Sequence, residues 1–319
     1  MASLKRDSTQ GQRQEKIMTD ELSDRINRLR KERNAIILAH NYQRGEVQDI
    51  ADFVGDSLEL SRKAAGVEAD VIVFCGVHFM AETAYILSPD RTVLLPDENA
   101  GCPMADMIDA EGLRKLKAEH TNARVVCYVN STAEVKAESD ICCTSANAAQ
   151  IVASLPVDEE IIFVPDQYLA HYAATQAGRE VIPWHGYCPT HVKIIPPDIE
   201  RLRREYPDAK VVVHPECLPE VIAMADEVAS TSGILKFCQR EDVREVIVGT
   251  EMGIIHRLQK ENPGKKFIPV SERAVCPNMK RITLDKVLKA LEDLAPRVRV
   301  PEDIRLKARA AVDRMVETQ

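Results

Sequence analysis

The chain has 319 residues, 45% of them hydrophobic, which is enough to bury one sizeable core or several. Its formal net charge of −8 and its 4% aromatic content argue against binding to nucleic acid or to an anionic membrane. No apolar run is long enough to span a bilayer, and residues 1–16 lack the apolar segment of a secretory signal. We therefore expect a cytoplasmic protein with a disordered tail over residues 1–19, whose nine cysteines are free, catalytic or metal-bound.

Short β-branched runs alternate with helical stretches along the chain. Strands are predicted, in chain order, at residues 35–39, 71–74, 124–129, 161–164, 210–213, 245–248 and 267–270. Amphipathic runs typical of helices cover residues 46–54, 167–176 and 252–260, and a closing helix is predicted over 301–318. Short apolar strands that are each followed by a helix indicate parallel sheets covered on both faces, so the predicted fold class is α/β.

Three stretches of the chain repeat one pattern, in which a strand, a helix and a second strand lead to a loop that ends in Cys-Pro. The cysteines of these loops are Cys102, Cys188 and Cys276, which lie 86 and 88 residues apart. The triplets that follow the opening strands keep the same register, and they are His40-Asn41-Tyr42, Tyr128-Val129-Asn130 and His214-Pro215-Glu216. A third set in register is Asp56-Ser57, Thr144-Ser145 and Thr231-Ser232. These three landmarks predict a threefold repeat.

The repeat also predicts how the domains are arranged. We expect three similar three-layer α/β/α domains with parallel sheets, over residues 20–105, 106–190 and 191–276, placed around a pseudo-threefold axis. Because the chain begins in mid-repeat, residues 277–319 are expected to return to the first domain. Ligands of parallel α/β units bind beyond the carboxyl ends of the strands, so the landmarks of all three domains should converge at the centre.

Three converging thiolates predict a metal site formed by Cys102, Cys188 and Cys276. Without a fourth protein ligand they would leave a zinc site incomplete, whereas an iron–sulfur cluster held by three cysteines keeps one iron open to substrate. The alternative is that these cysteines are small buried hydrophobic residues, but their shared proline and register favour ligation. For the other cysteines, core packing is favoured or a ligand role has little support; these are Cys75, Cys127, Cys142, Cys143, Cys217 and Cys238.

The motifs as a set resemble those of the quinolinate synthases over residues 20–319. The resemblance lies in the three triplets, in the third set (called here the Ser/Thr pairs: Asp56-Ser57, Thr144-Ser145 and Thr231-Ser232) and in the three Cys-Pro segments. These segments are Gly101-Cys102-Pro103-Met104-Ala105-Asp106-Met107, Cys188-Pro189-Thr190-His191 and Cys276-Pro277-Asn278-Met279. The resemblance implies three α/β/α domains around a central 4Fe–4S cluster, which agrees with the repeat. It also implies that the three Cys-Pro cysteines hold the cluster and that its open iron acts as a Lewis acid.

The resemblance implies a reaction as well. Iminoaspartate and dihydroxyacetone phosphate would condense to quinolinate, with loss of phosphate and water, on the route to NAD. Transient contact with an enzyme that produces iminoaspartate is a further implication. Two alternatives use the same cysteines: an aconitase-like hydro-lyase acting on another hydroxy acid, and a non-catalytic iron–sulfur scaffold or sensor.

Substrate contact is implied for residues of the triplets and of the Ser/Thr pairs. These residues are His40, Ser57, Tyr128, Val129, Asn130, Ser145, His214, Pro215, Glu216 and Thr231. Ser57, Ser145 and Thr231 carry hydroxyl groups and are predicted to stand where helices begin, which suits the binding of carboxylate or phosphate groups. The alternative for these hydroxyls is ordinary N-capping, and Asn130 could equally be a turn residue.

The resemblance also implies acid–base roles for the histidines, tyrosines and the glutamate of the three triplets. The predicted catalytic residues are His40, Tyr42, Tyr128, His214 and Glu216. Among them, Glu216 is the predicted general base, with the alternative that it is an exposed carboxylate at the rim of the site. His191 is predicted to be a neighbour of the cluster ligands.

Overall fold

Three four-stranded parallel sheets follow one another along the chain in the computed structural model, which describes the backbone of residues 2–318 and the side chains of residues 17–318. The first sheet contains β1 (Ala35–His40), β2 (Phe53–Gly55), β3 (Val71–Cys75) and β4 (Thr92–Leu94). The second contains β5 (Arg124–Tyr128), β6 (Ile141–Cys143), β7 (Ile161–Val164) and β8 (Ile182–Pro183). The third contains β9 (Lys210–Val213), β10 (Glu227–Val228), β11 (Glu245–Gly249) and β12 (Lys266–Pro269).

Helices lie between the strands and cover the sheets. The first seven are α1 (Ala2–Glu32), α2 (Gly45–Ile50), α3 (Ser57–Ala65), α4 (His78–Leu87), α5 (Ala110–Glu119), α6 (Ala133–Ala137) and α7 (Ala148–Ser154). The other seven are α8 (Gln167–Ala177), α9 (Pro196–Glu205), α10 (Pro219–Ile222), α11 (Thr231–Gln239), α12 (Ile254–Glu261), α13 (Leu284–Asp293) and α14 (Glu302–Glu317). Short 3₁₀ turns follow the Cys-Pro loops at Ala105–Met107, His191–Lys193 and Met279–Arg281.

The three sheets share one strand order, β2-β1-β3-β4 in the first and its equivalents in the other two. Strands β3 and β7 are buried along their whole length, as expected for parallel strands with helices on both faces. The predicted α/β class is therefore confirmed, with three similar α/β/α units.

A fourth set of residues keeps the register of the repeat, although the sequence does not single it out. In each unit an aspartate before the short edge strand accepts a hydrogen bond at 2.8 Å from the backbone N–H of the central strand. The pairs are Ile37 with Asp52, Val125 with Asp140, and Val211 with Asp226. This bond satisfies a backbone donor of the central strand in the same way three times.

The segment after residue 277 packs on more than one unit. Helix α13 packs against α1 and β3, and the Val298 backbone N–H donates to the Val93 carbonyl at 2.9 Å. Helix α14 contacts α4 of the first unit and also α6 and β6 of the second. The domain boundaries and the disorder of residues 1–19 remain predictions; the α1 backbone begins at Ala2, and side chains 1–16 lie outside the described residues.

The structure corrects the predicted elements in one place and adds to them in others. The run at 46–54 is not one helix, because α2 ends at Ile50 and Phe53–Gly55 forms β2. Strands β2, β4, β6, β8 and β10 have two or three residues each, which is too short for a periodic pattern to show. Among the described residues, every helix is too short or too polar to cross a membrane.

Candidate active site

One cavity collects side chains from all three units and contains about 640 Å³ of space free of protein atoms, part of it open to solvent. Twelve of the residues singled out in the sequence line it: His40, Tyr42, Ser57, Cys102, Tyr128, Asn130, Ser145, Cys188, His214, Glu216, Thr231 and Cys276. Val129 and Pro215 are buried beside the cavity, but they do not line it. The polar residues that complete the lining are Asp56, Thr190, His191 and Glu251.

The three Cys-Pro cysteines share one local geometry. Each thiol is followed by a 3₁₀ turn whose first backbone N–H groups hydrogen-bond to the sulfur, an arrangement that favours a thiolate. Burial raises the pKa of Cys102 to about 12 and also raises those of Cys188 and Cys276. Since thiolates are the metal-binding form, loading of these cysteines must release protons.

The spacing of donor atoms distinguishes a cluster from a single ion. Three thiolates on one tetrahedral zinc would lie about 3.8 Å apart. Among the described residues, the ligand atoms that lie within 4.8 Å of one another are those of Cys188, His191 and Glu216, and this group includes neither Cys102 nor Cys276. That group shares Cys188 with the cysteine set, so a metal ion bound by one set would compete for Cys188 with a metal group bound by the other. The three cysteines meet as lining of one cavity, and the compact group that could hold a single ion leaves two of them out.

Glu216 lies at the centre of a buried hydrogen-bond network and is only 3% exposed, so it is not a rim carboxylate. Its Oε2 atom lies 2.7 Å from His191 Nδ1 and 3.4 Å from His214 Nδ1. Burial raises the pKa of the Glu216 carboxyl, but the close contact with His191 and the hydrogen bond from Tyr128 outweigh burial and hold that pKa at about 2. Glu216 is therefore ionised at neutral pH.

His191 connects Glu216 with Tyr42, a link that the sequence did not predict. The His191 Nε2 atom lies 2.8 Å from Thr250 Oγ1 and 3.4 Å from the Tyr42 hydroxyl. The Tyr42 hydroxyl lies 2.5 Å from Thr250 Oγ1, and burial raises the Tyr42 pKa well above its usual value. His191 Nδ1 also lies 3.1 Å from the Cys188 sulfur, so His191 is a neighbour of one of the predicted ligand cysteines.

Tyr128 and Asn130 face the same carboxylate. The Tyr128 hydroxyl hydrogen-bonds to Glu216, and Asn130 Nδ2 lies 3.5 Å from Glu216 Oε1. The Asn130 Oδ1 atom is buried and has no hydrogen-bond partner among the described residues. Because buried polar atoms are almost always paired, a donor from a bound molecule is expected at Oδ1.

His40 and His214 occupy equivalent positions and have the same local contact. In each case the Nδ1 atom accepts a hydrogen bond from the backbone N–H two residues later, Tyr42 at 3.2 Å and Glu216 at 3.3 Å. A neutral ring in this arrangement carries its proton on Nε2, which for His214 lies 3.1 Å from Ser145 Oγ. Burial lowers the pKa of both histidines to about 3, so both rings are neutral donors.

Two of the three hydroxyl residues stand at helix starts without serving as caps. Asp56 caps α3 through the backbone N–H groups of Leu58 and Glu59, so the first helical residue, Ser57, is not needed as a cap. Ser230 caps α11 in the same way, which leaves Thr231 as its first residue. Asp56 and Ser230 are thus the N-caps of these helices, so N-capping does not account for the hydroxyls of Ser57 and Thr231.

Ser145 differs from the predicted position. Helix α7 begins at Ala148, so Ser145 lies in the turn before it and not at a helix start. Its hydroxyl lies beside His214 and lines the cavity. Ser145 is at the position that the repeat predicts, but a turn between Thr144 and Asn147 precedes the helix, which starts three residues later than expected.

Glu251 is a further residue of the site that the sequence did not indicate. It is fully buried, and its Oε1 atom accepts a hydrogen bond at 3.0 Å from the backbone N–H of Cys276. Lys280 pairs with it at 3.0 Å and also donates to the Tyr42 carbonyl. The pair fixes the third Cys-Pro loop. The equivalent residue of the second unit, Asp166, is also a buried carboxylate, and it interacts with the backbone N–H of Cys188.

Comparison with known proteins agrees with this geometry. The family model described as Quinolinate synthetase A protein matches residues 24–317. The chain is 62% identical over 295 residues to the quinolinate synthase of Dehalococcoides mccartyi strain CBDB1, covering 92% of this chain and 97% of that protein. It is 59% identical over 299 residues to that of Desulforudis audaxviator, with coverages of 94% and 99%. It is 56% identical over 300 residues to that of Geobacter metallireducens, with coverages of 94% and 98%.

These similarities extend over nearly the whole chain and include all three repeats. The relatives are enzymes by name, and the central cavity described above contains the acid, base and thiol groups that an enzyme requires. The chain therefore belongs to the quinolinate synthetase A family.

Proposed function

We propose that this chain catalyses the condensation of iminoaspartate with dihydroxyacetone phosphate to give quinolinate, phosphate and water in NAD biosynthesis. The observation that carries the proposal is one buried cavity in which three cysteines from three repeated loops meet the network of Glu216 and His191. A cytoplasmic location and transient contact with an iminoaspartate-producing enzyme are parts of the same proposal.

The chemistry of the cysteine set supports a 4Fe–4S cluster held by Cys102, Cys188 and Cys276. The three loops have the same turn geometry, and their cysteines line one cavity. The compact group of ligand atoms around Cys188, which could hold a single ion, includes neither Cys102 nor Cys276. When bound, a cluster with three cysteine ligands supplies one iron without a protein ligand, which can act as a Lewis acid.

Hydrogen-bond donors in the cavity support the binding of carboxylate and phosphate groups. Ser57, Ser145 and Thr231 provide hydroxyl groups, and the neutral rings of His40 and His214 carry N–H donors. The N-termini of α3 and α11 add a favourable partial charge where Ser57 and Thr231 stand. A chain with net charge −8 can thus bind anions, because the electrostatic field inside the site determines anion binding more than the net charge does.

Proton transfer is proposed for the linked side chains of Glu216, His191 and Tyr42. A carboxylate whose pKa is held at about 2 is a weak base on its own, since proton transfer is most efficient when the pKa lies near the operating pH. The 2.7 Å contact with His191 makes the pair a better base, in which Glu216 fixes the ring. The Nε2 atom of His191 then faces the Tyr42 hydroxyl, which can hold or return a proton.

Replacement of Ser57, Ser145 or Thr231 by alanine should weaken substrate binding while the iron content stays unchanged. Each lost hydrogen bond to a charged group should cost about 1.5–3 kcal/mol of binding free energy. Calorimetric titration with inorganic phosphate and with succinate measures the effect. The matched control is Ser232→Ala, because that hydroxyl donates to Glu59 at 2.5 Å and does not line the cavity. Wild-type affinity in all three cavity variants would make these hydroxyls structural only.

Product analysis tests the proposed reaction against its alternatives. Anaerobically purified protein with both substrates should form quinolinate, and it should not dehydrate simple hydroxy acids. Turnover of a hydroxy acid alone would support an aconitase-like hydro-lyase, and a coloured protein without either activity would support a scaffold or sensor.

A further inference from the structure

The hydroxyl of Thr231 has a neighbour to which the proposed reaction gives no role. Asn41 is fully buried, and its Nδ2 atom donates to Thr231 Oγ1 at 2.8 Å. Its Oδ1 atom accepts from Arg257 Nη1, also at 2.8 Å. We propose that Asn41, held by Arg257, is a positioning residue that makes the Thr231 hydroxyl a hydrogen-bond donor to a carboxylate or phosphate group of the substrate. This inference rests on the proposed function.

The direction of each hydrogen bond follows from the chemistry of the three groups. A guanidinium group can only donate, so the amide oxygen of Asn41 must face Arg257. The amide N–H₂ group then faces Thr231, whose oxygen accepts. The hydroxyl proton must point elsewhere, and among the described residues it has no acceptor. Thr231 is 2% exposed and lines the cavity, so a bound anion is the acceptor that remains.

Arg257 is itself held in place, which is what allows it to fix the amide. Its Nη1 atom also donates to the Val54 carbonyl at 2.7 Å, and its Nε atom donates to Glu261 at 2.6 Å. If the amide of Asn41 flipped, its N–H₂ group would face the N–H groups of Arg257, two donors in contact, so the flipped orientation is disfavoured. A neutral amide is needed here because it is the group that can accept on one side and donate on the other.

The arrangement is specific to one repeat. The residues equivalent to Asn41 in the other two triplets are Val129 and Pro215, which have no side-chain donor. The hydroxyl equivalent to Thr231 in the second unit, Ser145, contacts His214 Nε2 instead. The three hydroxyls are thus oriented by different means, and the one at Thr231 depends on Asn41.

The variant Asn41→Asp reverses the polarity of the contact without a change of shape. An aspartate accepts from Arg257 and from Thr231 alike, so the hydroxyl would donate to the carboxylate and no longer to the substrate. We expect KM to rise about ten-fold or more, with kcat changed less and with wild-type iron content and absorption spectrum. Thr231→Val should produce a similar rise, and the double variant should show no further rise.

The double variant separates this mechanism from simple charge repulsion. If the new carboxylate acted by repelling the substrate, the two rises in KM would multiply, and the proposal would be overturned. Wild-type KM in Asn41→Asp would overturn it as well. The matched control is Asn262→Asp, a buried asparagine that does not line the cavity, which should leave KM unchanged. If Asn41→Asp does not fold, Arg257→Met enters the same cycle, since it frees the amide to rotate.

Equilibrium binding makes the test independent of turnover. Titration of each variant with succinate and with inorganic phosphate shows which anion the Thr231 hydroxyl contacts, because only that ligand should lose affinity in Asn41→Asp. Equal affinity of wild type and Asn41→Asp for both ligands would overturn the proposal. A wild-type protein that binds both anions but forms no quinolinate would instead contradict the proposed reaction.

Discussion

Replacement of Cys102, Cys188 or Cys276 by alanine is expected to abolish both cluster binding and quinolinate formation. Each cysteine comes from a different repeat, and each sulfur lines the same cavity. A cluster that has only three protein ligands cannot lose one and keep its position against the substrate site. Iron and sulfide content, the visible absorption spectrum and activity, all measured anaerobically, report the outcome.

The control for this prediction is Cys75→Ala. Cys75 ends strand β3, is fully buried and does not line the cavity. Its loss should reduce the free energy of unfolding by an amount typical of a small core truncation while leaving the cluster in place. A full-strength cluster spectrum in any one of the three Cys-Pro variants would contradict the assignment of the ligands.

Glu216→Gln is expected to lower kcat by about 10²–10⁴ while the cluster and the fold remain. The amide keeps the shape of the side chain, but it removes the negative charge that lies 2.7 Å from His191 Nδ1. His191 then loses the group that fixes its ring, and proton exchange with Tyr42 loses its base. Single-turnover kinetics at saturating substrate measure the effect on the chemical steps.

Glu82→Gln provides the matched control for that variant. Glu82 is another buried carboxylate, in helix α4, and it does not line the cavity. Its replacement should leave kcat within a small factor of wild type, although it removes the negative charge near the buried Lys136. If Glu216→Gln retained wild-type kcat, Glu216 would have no part in proton transfer.

The central strands and the threefold repeat could be predicted from the sequence because their signals are long. A buried parallel strand such as β7 is a continuous apolar run, and the Cys-Pro loops return at a fixed spacing. The short edge strands could not be predicted, since two or three residues have no period. What holds them in place is a hydrogen bond that the backbone N–H of the neighbouring strand donates to an aspartate such as Asp52, and this shows only in three dimensions.

The site was predictable to the extent that it follows the repeat. The polar residues chosen as landmarks of the repeat were found, whereas Thr250 was missed because it has a role in one unit alone. Glu251 was missed because its contact with the Cys276 backbone shows only in three dimensions. His191 was placed near the cluster ligands, but its link to Glu216 and Tyr42 depends on how the second and third units meet. Departures from the pseudo-threefold symmetry make the three units unequal, as the different residues at Asn41, Val129 and Pro215 show.

The most direct test follows the colour of the protein and its activity together during exposure to air. With three cysteine ligands, one iron lacks a protein ligand, so oxidation should release it and end the reaction. We expect the visible absorbance of the anaerobically purified protein and its rate of quinolinate formation to fall in parallel, and a bound dicarboxylate to slow both losses equally. Full activity after the colour has gone would contradict the account, because the cluster would then be incidental to catalysis.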